Sequence, residues 1–573
     1  MCGLTAIIAT NSVNINELIS MNDTIIHRGP DDEGFFLKSF SSDLSMTFSR
    51  DKHDFKHYDE ESYKQFNVGL GHRRLSILDL TSAGHQPMTS HDNNLTIIFN
   101  GEIYNYKALR VLLNKEGFIF KTQTDTEVIL NAWSFWGESC LSKLEGMFSI
   151  IIFNNKTNTL YAIRDRFGIK PLYYFQNDRG IYFASEIKQF MAINTWKATQ
   201  NYQIVYDFLN WSLIDHTNET FFKGVYQVLP GEILKLTISN KKINTLRKMW
   251  YSLSFSLPFL EYNDEKNSYK DLFVNSVSMH LQADVSVGSC LSGGIDSSSI
   301  VGVINSLKKN NQTQKTFSAL SHDPRIDESK WIDCVVKAQS LDAYFITPTA
   351  SLLENSLNEL TYSQDEPFRS TSTFAQWCVF KLAHEQGVKV MIDGQGADEQ
   401  LGGYASFWGV LLAEKICKGH WSDFSEEYKA ILKNSGLSYF SLFQRVVNPF
   451  VKGRFSGIIR NIITDNKITP PWFDFKESLV DKRDPFLLLN SRTSSFQQFS
   501  IAQTKSINLQ SLLHLEDRNS MAHSVEARVP FLDHNLVEKS LSLPTEYKFK
   551  QGVSKRILRD AMKNYIPEKI YNL

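Results

Sequence analysis

Cys2 directly follows the initiator methionine. Removal of Met1 leaves a thiol and a free α-amine on one residue. An amine with a pKa of about 8 can take the thiol proton, directly or through a water. Polar clusters recur downstream: His27-Arg28-Gly29-Pro30-Asp31-Asp32, Arg73-Arg74-Leu75-Ser76-Ile77, Asn100-Gly101-Glu102-Ile103-Tyr104-Asn105 and Thr124-Asp125-Thr126-Glu127. Taken singly, each has a plainer reading. Cys2 suits a buried strand, Asn100-Gly101 a hairpin turn, Asp125 a helix cap and Arg74 a solvated face.

A second group of residues suits phosphate chemistry. Leu291-Ser292-Gly293-Gly294-Ile295-Asp296-Ser297-Ser298 lies between a predicted strand and a predicted helix. Glycines let a backbone approach phosphate oxygens, and a helix N-terminus offers free N–H groups. The loop is not the GxxxxGK[ST] pattern. Asp393-Gly394-Gln395-Gly396-Ala397-Asp398-Glu399 follows another predicted strand and would face the same crevice. Asp296 and Asp398 are hard oxygen ligands suited to Mg²⁺ bridging pyrophosphate, and Lys555 can neutralise phosphate charge.

The elements that must position these residues divide the chain. The first 190 or so residues read as short strands (Gly3–Ala9, Leu95–Phe99, Phe148–Phe153, Thr159–Ile163, Ile181–Ala184) with helical spacing at Tyr106–Glu116 and Glu127–Trp136. Residues 38–67 read as a surface excursion, and 195–260 as a connection. From about 265 the pattern becomes strand, turn, helix: Val285–Leu291 and Ser298–Leu307, then the strands Thr316–Leu320 and Val388–Ile392. Alternation of that kind predicts a mostly parallel sheet with its ligand site at the strands' C-terminal ends. Residues 405–510 carry no interpretable motif.

Composition narrows the function classes. The 573 residues carry 61 basic and 62 acidic side chains, a net charge of −1, which gives no support for nucleic-acid binding. The six cysteines, Cys2, Cys140, Cys290, Cys334, Cys378 and Cys417, show no CxxC spacing, so neither a zinc site nor a disulfide scaffold is expected. Scattered thiols, no basic leader and no apolar run near 18 residues predict a cytoplasmic protein without a membrane span.

Six blocks in order (Met1-Cys2-Gly3, His27–Asp31, Arg74–Ile77, Asn100–Asn105, Thr124–Glu127 and Arg164-Asp165-Arg166-Phe167-Gly168-Ile169-Lys170-Pro171-Leu172) resemble the N-terminal-nucleophile glutaminase domain of class II glutamine amidotransferases. The back half resembles the synthetase domain of glutamine-hydrolysing asparagine synthetases. The matching stretches are Asp284–Gly288, the pyrophosphate loop, Asp365-Glu366-Pro367-Phe368, the Gly396–Glu399 block with Gly402-Gly403-Tyr404, and Ser520–Asp533.

The resemblance implies an α+β and α/β chain: an N-terminal Ntn-hydrolase αββα sandwich, then a parallel-sheet ATP-pyrophosphatase domain. The expected spans are 2–205 for the glutaminase, 206–264 for a connecting region and 265–573 for the ATP-binding domain. It implies that Cys2 attacks glutamine and that Asn100 and Gly101 form the oxyanion hole. Arg74 would bind the α-carboxylate, and Glu102 and Asp125 the α-ammonium. Leu291 and Ala319 would line the adenine site, with Ser292, Gly293, Gly294, Asp296, Ser297, Asp393, Gly394 and Lys555 around ATP, and Asp296 and Asp398 on Mg²⁺. The implied reaction releases ammonia from glutamine, adenylates aspartate with loss of pyrophosphate, and delivers the ammonia through an internal channel to form asparagine. The implied partners are glutamine, ATP and the carboxylate. No nucleic acid or membrane is implied, and a homodimer is allowed.

Two departures stand out. Family members carry an acid where this chain has Gln395, a position tied to the amide-forming step; a neutral amide is no general base. Gln395 therefore keeps a second acceptor class open, a sugar uronate or a carboxylate on a peptide or secondary metabolite. Family chains also usually continue past Ile566-Pro567-Glu568, whereas this sequence stops at Leu573.

Overall fold

The computed structural model describes residues 2–42, 44–50, 65–239, 242–255, 260–308, 313–451 and 480–573. Parts of the expected 38–67 excursion and of 405–510 lie outside them.

Among the described residues the front half is built on thirteen strands: β1 (Gly3–Ala9), β2 (Asp32–Lys38), β3 (Ser45–Phe48), β4 (Val68–Arg74), β5 (Met88–Thr89), β6 (Leu95–Ile103), β7 (Gly146–Asn154), β8 (Thr159–Arg164), β9 (Tyr173–Asn177), β10 (Gly180–Ala184), β11 (Val225–Gln227), β12 (Glu232–Ser239) and β13 (Lys242–Met249). They form two antiparallel sheets, ordered β11-β9-β10-β1-β4-β2-β3 and β13-β12-β8-β7-β6-β5. The sheets stack through Leu4, Ala6, Ile8, Ile98, Ile151, Phe153 and Leu160. The helix Ile15–Asp23 covers the outer face of the first sheet, and Tyr106–Lys115 with Asp125–Trp136 covers the second. The layers are therefore helix, sheet, sheet, helix. A strand in such a sandwich is buried on both faces, which is why β7 reads as the nearly unbroken apolar run Gly-Met-Phe-Ser-Ile-Ile-Ile-Phe-Asn.

The segment expected to connect the halves does more than connect. Within 206–264, β11 joins the first sheet, and β12 and β13 complete the second. The excursion at 38–67 contributes β3, which extends the sheet edge beside β2.

The back half carries β14 (Val287–Cys290), β15 (Lys315–Ala319), β16 (Asp342–Ile346), β17 (Val390–Ile392) and β18 (Glu526–Arg528). These form an all-parallel sheet ordered β16-β15-β14-β17-β18. The order runs outward in both directions from β14, and the pyrophosphate loop follows β14 at that switch point. The helix after the loop begins at Ile295 rather than Ser298, so Asp296 and Ser297 lie in its first turn. Residues 405–510 supply mainly helices, among them Ser406–Cys417, Trp421–Ser435, Tyr439–Val447 and Phe496–Ala502.

The halves share a core. Tyr104, Met147 and Phe167 pack with Leu509, Leu513, Val529 and Leu532. Leu75 and Ile77 join the apolar cluster beneath the pyrophosphate loop. No helix among the described residues is long and apolar enough to cross a membrane.

Candidate active sites

β1 starts at Gly3, so Cys2 sits at the lip of the sandwich, only 8% exposed. Its main-chain nitrogen donates to Asn100 Oδ1 at 2.9 Å. A main-chain N–H can only donate, so the Asn100 oxygen must face it and the amide nitrogen is turned away. That nitrogen is buried and has no partner among the described residues, an oriented donor waiting for an acceptor. Gly101 follows with φ +154°, and a Cβ there would lie 2.0 Å from the Met147 carbonyl oxygen. Glycine is what lets β6 lie this close to β7 beside the thiol. Burial pushes the Cys2 thiol up; the chain's amino terminus, a Leu75 backbone interaction and Arg74 pull it back.

Cys2, Arg74, Gly101, Glu102 and Asp125 line one narrow cavity of about 30 Å³. Arg74 ends β4, and its guanidinium is fixed by the carbonyls of Thr81, Leu78 and Asp79. Among the described residues no carboxylate pairs with it, so its charge is available to an anion. Thr124 caps the helix Asp125–Trp136 through Glu127 N at 3.3 Å, which places Asp125 at the first helical position. Asp125 Oδ2 accepts from Ile103 N at 2.9 Å. Burial lifts Asp125 to about 6 and holds Glu102 well above the ordinary carboxylate range, with Glu526 pushing in the same direction on both.

At the second site, Gly293 takes φ +78°, and a Cβ there would come within 2.7 Å of Trp331 Cβ. The main chain can therefore lie against the helix Ser329–Gln339 only as glycine. Ser292 and Ser297 hydroxyls lie 3.1 Å apart across the loop. Leu291 and Ala319 stand at neighbouring strand ends, joined where Leu291 N donates to Phe317 O. Leu291 is 2% exposed and belongs to the core beneath the loop. Lys555 bridges the two acids, 2.5 Å from both Asp296 Oδ2 and Asp398 Oδ1. Burial lifts Asp296 to about 6 despite Lys555, and the two acids push Lys555 up to about 12. Asp296 Oδ1 is buried without a partner. Two convergent carboxylates, one with a spare oxygen, fit a hard divalent cation such as Mg²⁺. Asp393 accepts from Gly394 N at 2.6 Å, and Gln395 lies half-buried two residues on.

Between the sites runs a buried charge network without assigned roles in the motif analysis. Arg28 is fully buried; it donates to Cys2 O at 3.1 Å, to Glu186 at 2.8 Å and, with both terminal nitrogens, to Asp517 at 2.8 and 3.0 Å. Glu526 accepts from Arg528 Nε at 2.6 Å, and Arg528 reaches Glu102 at 3.4 Å. Arg528, Lys170 and the chain's amino terminus hold Glu526 at about 2 against the effect of burial. The one available signal was the density of charge in otherwise apolar stretches: Glu516-Asp517-Arg518 and Glu526-Ala527-Arg528. His514 forms a further clamp, with Nδ1 2.9 Å from Asp215 and Nε2 3.1 Å from Gln364 O. Both ring nitrogens face acceptors, and Asp215 raises the histidine's pKa against the effect of burial, so the clamp ties 206–264 to the back half. Three clefts of about 500 Å³ each lie elsewhere, one of them between Glu414, Lys418 and Glu546.

Comparison with known proteins accords with this two-site layout. Residues 55–251 match the glutamine amidotransferase domain family and residues 268–572 the asparagine synthase family. Asparagine synthetase [glutamine-hydrolyzing] 1 of Bacillus subtilis is 31% identical over the whole of this chain and 86% of its own length. A putative asparagine synthetase 2 of Methanocaldococcus jannaschii is 32% identical over 70% of this chain and 76% of its own. Amidase chry2 of Gibberella zeae is 26% identical over all of this chain and 88% of its own. With matches of that extent, the chain belongs to the glutamine-hydrolysing asparagine synthetase family, joining a glutamine amidotransferase domain to an asparagine synthase domain.

Proposed function

We propose that the chain hydrolyses glutamine at Cys2, activates a carboxylate with ATP at the pyrophosphate loop, and joins the two products as an amide, with aspartate as the acceptor and asparagine as the product. The observation that carries the first half is Asn100, whose oxygen holds the Cys2 nitrogen while its own N–H group stays free. Once Met1 is removed, that nitrogen is an α-amine. It takes the proton of the Cys2 thiol, and Sγ attacks the glutamine side-chain carbonyl. Asn100 Nδ2 and the Gly101 N–H receive the oxyanion. The C–N bond breaks, ammonia leaves with the proton, and water releases glutamate from the thioester. Arg74 pairs with the α-carboxylate, and Glu102 and Asp125 with the α-ammonium.

At the second site the acceptor carboxylate attacks the α-phosphorus of ATP. Pyrophosphate leaves, and an acyl-adenylate remains. Asp296 and Asp398 would hold Mg²⁺, which supplies charge neutralisation on the pyrophosphate; Lys555 supplies more. Leu291 and Ala319 would line the adenine site, with Ser292, Gly293, Gly294, Ser297, Asp393 and Gly394 around the phosphates. The proposed domain spans are 2–205, 206–264 and 265–573.

Gln395 favours a second reading, in which the acceptor is another carboxylate, such as a uronate. The experiment is ATP–pyrophosphate exchange with aspartate, uronates and acidic peptides, run beside amide formation from glutamine and from ammonium. Cys2→Ala should abolish the glutamine route and leave the ammonium route largely intact. Equal loss from both would refute the two-site reading.

A further inference from the structure

We infer that Glu516 supplies the carboxylate that Gln395 lacks, and that Glu516 and Asp393 together take the proton from ammonia in the amide-forming step. The inference rests on the proposed ligase chemistry. Glu516 lies on the helix Leu509–Met521, 2% exposed. Neither of its buried oxygens receives a hydrogen bond from an ordinary donor; the group it meets is another acid, Asp393. Keeping a buried carboxyl group against a second acid is costly, so its presence calls for a use.

Glu516 contacts Asp393, the first residue of the turn that carries Gln395. The rest of the surroundings holds the pair in place. Asp393 accepts from Gly394 N at 2.6 Å and lies 3.4 Å from Gln376 Nε2. Gln376 accepts in turn from Asn519, one turn beyond Glu516 on the same helix, at 2.8 Å. Burial and the charge of Asp393 push Glu516 well above the ordinary carboxylate range. Two carboxyl groups in contact at the head of the turn form an interacting pair that can take up a proton there.

The other acids of the turn each hold ordinary partners. Asp398 is on Lys555. Glu399 accepts from Tyr404 at 2.6 Å and from Asn508 at 3.1 Å. The neighbouring Asp517 grips Arg28, which reaches the Cys2 carbonyl. The helix that brings Glu516 to the synthetase turn is therefore also tied to the ammonia-producing site. In the step itself, the nitrogen lone pair attacks the acyl carbon and a C–N bond forms. The C–O bond to phosphate breaks, and AMP leaves with its electrons. One proton passes from nitrogen to the carboxyl pair.

The test uses the full chain with Mg²⁺-ATP and ¹⁵N-ammonium chloride, and aspartate or glucuronate as the probe carboxylate. The readout is the ratio of labelled amide formed to ATP–pyrophosphate exchanged, which cancels losses from misfolding. Glu516→Gln should lower the ratio at least tenfold, and Glu516→Asp by less. Adding Gln395→Glu to Glu516→Gln should recover part of the loss, because an acid then stands at the other end of the same turn. A ratio in Glu516→Gln within fivefold of wild type overturns the inference, as does a double variant no better than the single one. A wild-type chain that exchanges pyrophosphate with neither probe, nor with the wider acceptor panel, refutes the ligase reading itself and the inference with it.

Discussion

Replacing Asn100 by alanine separates a transition-state role from a structural one. The side chain is fully buried; its oxygen is spent on Cys2 N, and its N–H group has no ground-state partner. Substrate binding therefore gains little from that donor, whereas the tetrahedral oxyanion gains a desolvated hydrogen bond. Losing one such donor costs roughly 3–4 kcal/mol, or on the order of 10²–10³ in kcat. Because the interaction is made only in the transition state, kcat should fall with little change in KM. Asn100→Asp sharpens the test. It keeps an oxygen for the Cys2 nitrogen but puts an acceptor where the oxyanion needs a donor, so it should be at least as slow as Asn100→Ala. The assay is glutamate release from glutamine, with kcat and KM resolved, beside amide formation from ammonium as a control on the second site. A fall in kcat of less than tenfold in Asn100→Ala, or an effect confined to KM, would refute the oxyanion assignment.

Other outcomes follow from the same geometry. Asp296→Asn should depress pyrophosphate exchange by tenfold or more while glutamate release persists, since Lys555 would then cancel the remaining carboxylate and the cation site would lose half its negative charge. Gly403→Ala should do the same without replacing a ligand: its Cβ would lie 1.6 Å from Asp398 Oδ1 and 2.5 Å from Lys555 Cε, so the bridge must shift. The two variants can be compared in one exchange assay with ATP titrated. Asp125 is lifted by burial to about 6, so it is protonated below that pH and ionised above it. The KM for glutamine should therefore rise as pH falls through about 6, and that rise should flatten in Asp125→Asn; an unchanged profile in the variant would remove Asp125 from ammonium binding.

The order of chemistry along the chain was legible in the residues themselves. A nucleophile at position 2, the amide and guanidinium blocks, and the strand–glycine–helix turn at Leu291–Ser298 each depend on neighbours within about ten positions. Local backbone preference and hydrophobic period report on that range. The same range explains why the strands β14, β15 and β17 were anticipated to within two residues at their ends. It also explains why β11 to β13 were read as a connection: nothing local says which sheet edge a short strand will join.

What tertiary structure alone decided lies between residues far apart in sequence. Arg28 meets Asp517 across 489 positions, and Lys555 reaches Asp296 across 259. The contact of Glu516 with Asp393 joins a helix to a turn more than a hundred residues earlier. The first is set by how the sandwich and the parallel sheet dock through Tyr104, Phe167, Leu509 and Leu513, the other two by how the helices of the back half pack on its own sheet. Burial then turns those contacts into chemistry. Removing a charged group from water raises the strength of every pairing and the cost of every vacancy, and neither periodicity nor spacing records which groups are removed together.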